Sequence, residues 1–142
     1  MGKNKTDTIN QFHMYRHLRQ IIHKMDSYRE GIARNFGISG PSLYLLVSIH
    51  TLPECSYKDL AAYTGLPPNT VSRLVSSLIT QRFISTVSDP NDRRIVHLSL
   101  TQAGNKIAEY AWEVLSEISQ TEMHGECSEW ILSQMEHLRD HY

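Results

Sequence analysis

The chain has only two cysteines, Cys55 and Cys127, among its 142 residues. They show no metal-type spacing and read as ordinary thiols of a reducing compartment. No apolar run is long enough to span a bilayer, and none near the N-terminus is long enough for a signal peptide. The expectation is a cytoplasmic protein with no membrane partner. No nucleophile–base–acid spacing, glycine-rich phosphate loop or metal triad is visible, so the chain is not read as an enzyme and no cofactor is expected. Repeats and low-complexity segments are absent. Net charge is nearly absent too, at −1, which does not advertise a partner of either sign.

The distribution of charge says more than its sum. Residues 1–55 and 56–106 each carry a net +3, whereas residues 107–142 carry −7. An acidic terminal section therefore masks a basic middle, and local charge decides where a polyanion docks. With 40% hydrophobic and 20% charged residues in a chain of this length, one folded domain with a sizeable core is expected.

Apolar residues recur in steps of three and four from Ile9 through Phe12, Tyr15, Leu18, Ile22, Met25 and Ile32 to Phe36, the pattern of a long amphipathic helix closed by Gly37. Ser39 and Pro41 open a second helix with Leu43, Leu46, Val47 and Ile49 inward, ending before Pro53. Ser56 and Asp59 make a capping-box start for a short helix from Tyr57 to Tyr63, with Leu60 and Ala61 facing the core. Gly65 supplies a turn. Pro67-Pro68 starts the next helix where a missing N–H costs nothing, and Val71, Leu74, Val75 and Leu78 form its buried stripe. Two helices joined by so short a turn are a helix-turn-helix.

A strand from Phe83 to Val87 follows, then Asp89-Pro90-Asn91-Asp92, which is turn chemistry, then Arg93-Arg94 and an alternating strand from Ile95 to Leu100. Thr101 caps a long helix carrying Ile107, Ala108, Ala111, Val114, Leu115 and Ile118. A polar break at His124-Gly125 precedes a last helix with Trp130, Ile131, Met135 and Leu138. The order α-α-α-α-β-β-α-α predicts a mainly α chain with a small β-wing (α+β). In it a winged helix-turn-helix, residues 37–106, sits between helical regions, residues 9–36 and 107–142, in a single compact domain.

With both motifs in place, the sequence resembles the MarR family of transcriptional regulators over about residues 9–140. The most specific part is Asp92-Arg93-Arg94 followed by Leu98-Ser99-Leu100-Thr101-Gln102-Ala103-Gly104. Leu60-Ala61 through Thr70-Val71-Ser72-Arg73-Leu74 and Leu78 is the second. Two positions depart from the family pattern. Arg82 stands where the family usually has glycine, and Ser85-Thr86 replace a basic residue often found just after it.

The resemblance implies sequence-specific binding of double-stranded DNA by a homodimer, usually in repression. The helix after the turn would enter the major groove with its N-terminal half nearest the bases. Asn69, Thr70, Ser72 and Arg73 are its candidates: Arg bridges guanine O6 and N7, Asn bridges adenine N6 and N7, and Thr offers a hydroxyl and a methyl. Helix capping by Asn69 or Thr70 and a phosphate contact by Arg73 are the plainer readings. Ser76 and Lys58 are expected on the DNA backbone. On the wing, Asp92 is expected to brace Arg94, with Arg93 and Arg94 both at the DNA face.

Trp130, Ile131, Met135, Ile9 and Phe12 are the expected dimer contacts, and a two-fold dimer implies a palindromic operator with half-sites about 10 bp apart. The family's usual effectors are small phenolic or other anionic aromatic compounds; Arg16, His17, Tyr44 and Trp112 have suitable pocket chemistry. Three alternatives stay open. One is a thiol redox sensor at Cys55 or Cys127. Another is a metal sensor built on the His13/His17 and His137/His141 pairs, although no metal ligand is assigned. The third is a winged helix that binds protein.

Overall fold

The computed structural model describes residues 5–122, which run α1 (Lys5–Asn35), α2 (Gly40–Thr51), β1 (Cys55–Ser56), α3 (Tyr57–Thr64), α4 (Pro68–Thr80), β2 (Ile84–Ser88), β3 (Val96–Leu100) and α5 (Gln102–Glu122). The expected last helix, with Trp130, Ile131 and Met135, lies outside the described residues, as do Cys127, His137 and His141. The fold is mainly α with a small three-stranded antiparallel sheet, the architecture of a winged helix. The chain divides into two units, one spanning Asp26–Glu113 and a second holding α1 up to Met25 and α5 from Val114.

Local chemistry sets the element ends in the larger unit. Gly37 turns left-handed (φ 67°) after α1; its N–H reaches the Arg34 carbonyl and the Ile38 N–H reaches Ala33 O, the paired bonds of a Schellman stop. Ser39 caps α2 by accepting from the Ser42 N–H at 3.2 Å. The capping box at α3 forms as the sequence implies: Ser56 Oγ accepts from Asp59 N at 3.0 Å, and Asp59 Oδ2 accepts from Ser56 N at 3.1 Å. Gly65 ends α3 in the left-handed region, at φ 72°.

Arg82 explains its own departure from glycine. The Phe83 N–H bonds to Leu78 O and the Arg82 N–H to Ile79 O, so α4 also ends in a Schellman motif, with Arg82 in the left-handed position (φ 64°). A residue with a Cβ pays roughly 1 kcal/mol of strain there. Arg82→Gly should therefore raise the unfolding free energy by up to about 1 kcal/mol, read from a denaturant midpoint at unchanged slope. A loss of stability would mean that the arginine side chain compensates its backbone.

The core of this unit joins α2, α3, α4, β3 and α5. Leu43, Leu45, Leu46, Ile49, Leu60, Val71, Val75, Leu78 and Leu98 are fully buried, as are Ala108 and Ala111 of α5. Each such side chain contributes roughly 1.5–3 kcal/mol by leaving water. Two details differ from the periodicity. Leu45 is buried whereas Val47 is only half-buried, because α2 is covered on more than one side. Ala61 is half-buried rather than inside.

The sheet has the order β1-β3-β2. β2 pairs with β3 from Ile84↔Leu100 to Ser88↔Val96, and β1 adds Cys55↔Leu98 and Ser56↔His97 on the other edge. β1 has no counterpart in the sequence reading. It follows Glu54, which is held at φ 57°.

In the second unit the apolar stripe of α1 is turned to solvent. Ile9, Phe12, Tyr15 and Ile22 are all exposed, Phe12 to 62%. No helix among the described residues is long and apolar enough to cross a membrane.

Candidate nucleic-acid interface

Pro67 and Pro68 begin α4, and no side chain caps its N-terminus. Asn69 instead folds onto its neighbour, its Oδ1 accepting from the Thr70 N–H at 3.0 Å. The four buried residues Val71, Leu74, Val75 and Leu78 hold one face of the helix against the core. The opposite face presents Asn69, Ser72, Arg73 and Ser76 to solvent, with Thr70 half-buried beside them. Lys58 is exposed near the start of α3. The side chains nominated on α3 and α4 are thus accessible, and burial of the apolar stripe is what turns them outward.

The wing tip is organised by two aspartates. Asp89 Oδ1 accepts from the N–H groups of Asn91 (2.8 Å) and Asp92 (3.2 Å), an Asx turn that reverses the chain. Asp92 Oδ1 then accepts from Arg94 N at 3.0 Å and Arg94 Nε at 3.1 Å, while Oδ2 takes Arg94 Nη2 at 3.2 Å. This forked pair makes Arg94, not Arg93, the partner of Asp92. Arg94 remains 91% exposed, so the fork limits its rotamers without hiding it. Such an exposed pair adds only about 0–1 kcal/mol to stability; its value lies in pre-positioning a long cation. Arg93 is exposed beside it.

The hydrogen bonds from Arg94 hold the Asp92 carboxyl below the usual carboxylate range, and those from His97 and from the Asn91 backbone do the same for Asp89. Both turns are therefore intact at neutral pH and loosen as pH falls through those lowered values.

Arg82 sits at the opposite end of the hairpin from this tip, next to the Ile84↔Leu100 pair. At about 3.3 Å per residue the five residues of β2 separate the two by more than 15 Å. Arg82 is therefore remote from the wing tip along the strand.

The remaining nominees fall in different places. Arg16 lines an open groove on α1 together with Phe12, Tyr15, Arg19, Gln20 and His23, within the second unit. His17 is exposed on the same helix. Tyr44 and Trp112 belong to the larger unit, where the Arg29 guanidinium lies 6.0 Å from the Tyr44 ring centroid and Trp112 is half exposed. Cys55 is 2% exposed, and burial pushes its thiol above the ordinary value, toward the unreactive neutral form. No group of three or more His, Cys, Asp or Glu side chains suited to a metal occurs among the described residues.

One part of the site went unnoticed in the sequence. His97, in β3, bridges the Glu54 carbonyl (Nδ1, 2.9 Å) and the Asp89 carboxylate (Nε2, 2.8 Å). Its position between apolar strand residues was the available signal, but its partner Glu54 lies 43 residues away.

Comparison with known proteins agrees with this geometry. The model of the MarR family matches residues 36–95, from the end of α1 to the wing tip. Over 93 residues the chain is 29% identical to the HTH-type transcriptional regulator YhbI of Bacillus subtilis, a match covering 66% of this chain and 60% of YhbI. The S. aureus MepR–DNA complex superposes with a TM-score of 0.72 at 22% identity, covering 87% of this chain and 93% of MepR. Bordetella bronchiseptica BpsR gives a TM-score of 0.67 at 20% identity, covering 87% and 93%. The helix-turn-helix and the Asp92–Arg94 brace of the wing both fall within the stretch that is similar to the MarR family.

Proposed function

We propose that the chain is a DNA-binding transcriptional regulator that sets α4 in a major groove and its wing against the flanking minor groove. The observation that carries this reading is the Asp92–Arg94 fork. It holds a cation at the tip of a hairpin, in the same unit as an α4 face that presents Asn69, Ser72 and Arg73. A solvated surface loop has no need to fix an arginine that is 91% exposed. MepR, similar in fold, has been solved with DNA. Asn69, Thr70, Ser72 and Arg73 would face bases or nearby phosphates, Lys58 and Ser76 the backbone, and Arg93 and Arg94 the minor groove.

The exposed stripe of Ile9, Phe12, Tyr15 and Ile22 supports a homodimer formed through the helical region, since so much apolar surface is costly to leave in water. Such a dimer would read a palindromic operator in the cytoplasm, acting as a repressor. An effector, small and aromatic or anionic, would act by favouring a recognition-helix spacing that mismatches the half-sites. Arg16, His17, Tyr44 and Trp112 remain the nominees to contact it. Support comes from BpsR, whose DNA binding is regulated by 6-hydroxynicotinic acid. A thiol switch finds little support at Cys55, which is buried and held neutral.

The test is selection of duplexes from a random pool by the purified chain, followed by Arg73→Ala and Arg94→Ala. Each is expected to weaken binding of the selected duplex by about 1–3 kcal/mol, and loss of a phosphate contact should lower the salt slope by about 1. Sedimentation should show the oligomeric state unchanged. Affinity indifferent to both substitutions would favour a winged helix that binds protein instead.

A further inference from the structure

Both ring nitrogens of His97 meet acceptors. Nδ1 is 2.9 Å from the Glu54 carbonyl oxygen, and Nε2 is 2.8 Å from Asp89 Oδ2. Neither oxygen has a proton to give when Asp89 is ionised. A neutral imidazole has one N–H, so it satisfies one of these contacts and turns a lone pair toward the other oxygen. Only the imidazolium donates to both.

The two contacts tie different parts of the fold. Glu54, left-handed at φ 57°, leads into β1 and so into the capping box of α3. Asp89 builds the Asx turn whose next residues include Asp92, the brace of Arg94. The proton on His97 therefore sits at one end of a chain, His97–Asp89–Asp92–Arg94, that ends on a wing cation.

The charged groups around the ring all favour the charged form or are themselves neutralised. Glu54 and Asp89 touch it, and Asp59 of α3 is electrostatically coupled to it, with Lys58 acting on Asp59 in turn. Asp92 is occupied by Arg94, and β2 presents only Val87 across the strand pair. The hydrogen bond to Asp89, then that to the Glu54 carbonyl, raises the His97 pKa from its ordinary 6.5.

We propose that His97 is a positioning residue of the wing: its doubly protonated ring joins β1 to the wing turn, and deprotonation releases one side. This rests on the DNA-binding reading above. The sign follows from the raised value. The contribution is complete below about 6.5, the unfolded value, and is lost as pH rises through the higher folded one. Wing contacts, and hence affinity for DNA, weaken over that interval.

The experiment uses a duplex selected by the chain itself and measures its dissociation constant from pH 5.5 to 8.5 at fixed ionic strength. Wild type, His97→Gln and Asp89→Asn are compared, with 15N spectra of the imidazole recorded on free protein. Wild-type affinity should fall at least about five-fold across the titration. His97→Gln should be flat across the same range, and Asp89→Asn should move the midpoint to lower pH. The ring spectra should show both nitrogens protonated below that midpoint.

Binding that is retained but equally pH-dependent in His97→Gln, or a ring that is neutral at pH 6.5, overturns the proposal and leaves the DNA-binding reading intact. Folded protein that binds no duplex at any pH overturns the DNA-binding reading and this proposal with it.

Discussion

Gly104→Ala is expected to lower the unfolding free energy by roughly 3 kcal/mol, a large effect for one methyl group. A Cβ at this position would overlap the Phe83 carbonyl oxygen and crowd the Phe83 carbonyl carbon. The obstacle is backbone, so no side-chain rotation relieves it. Nor is that backbone free to move. Phe83 O already accepts from Thr101 N at 3.0 Å, and Phe83 N donates to Leu78 O in the stop of α4. The Thr101 hydroxyl donates to Arg82 O at 2.7 Å while accepting from Gly104 N at 3.1 Å. Threonine and glycine three residues apart therefore do one job. The first stitches α5 to the end of α4, and the second makes room for the stitch. Chemical denaturation measures the loss; a midpoint within about 0.5 kcal/mol of wild type would mean that the first turn of α5 slides without cost.

Leu98→Ala should cost a similar amount, about 2–5 kcal/mol. Leu98 is fully buried at the centre of the three-stranded sheet, paired with Cys55 on one side and Thr86 on the other. β3 packs on α2 and α3, so truncation opens a cavity where sheet and helices meet rather than at a free edge. The wing is expected to lose protection along with the helical core, visible as amide exchange at Val96–Leu100 rising toward the global rate. A cost below about 1 kcal/mol would instead mark the hairpin as a unit separable from the helices.

Much of this was legible because the signals are local. Ser39, the Ser56–Asp59 box, Gly65 and Thr101 act within three or four residues of themselves, and each terminates or starts the element that the sequence implies. The Asp92–Arg94 fork spans two residues and is legible for the same reason. β1 was not legible, since two residues show no periodicity and pair only with a strand more than 40 positions away. His97 hides for that reason as well. Arg82 could be flagged as a departure, but its cause needed the hydrogen bonds of the helix stop. The stripe on α1 marks a different limit. Periodicity tells that Phe12 and Ile22 form an apolar face, not what covers it, and in the single chain that face is exposed.

The two ends of α4 are held to different standards. At the C-terminal end, Arg82 and Phe83 are fastened to the start of α5 by two hydrogen bonds through Thr101 and by the close approach of Gly104. At the N-terminal end two prolines begin the helix and no side chain closes it. The helix is thus tied to a neighbouring element at its far end, while the end that carries Asn69 and Thr70 starts from the fixed φ of two prolines. On the DNA-binding reading proposed above, a duplex would meet the end of α4 that lacks a side-chain cap, while the fastened end keeps its place beside Thr101.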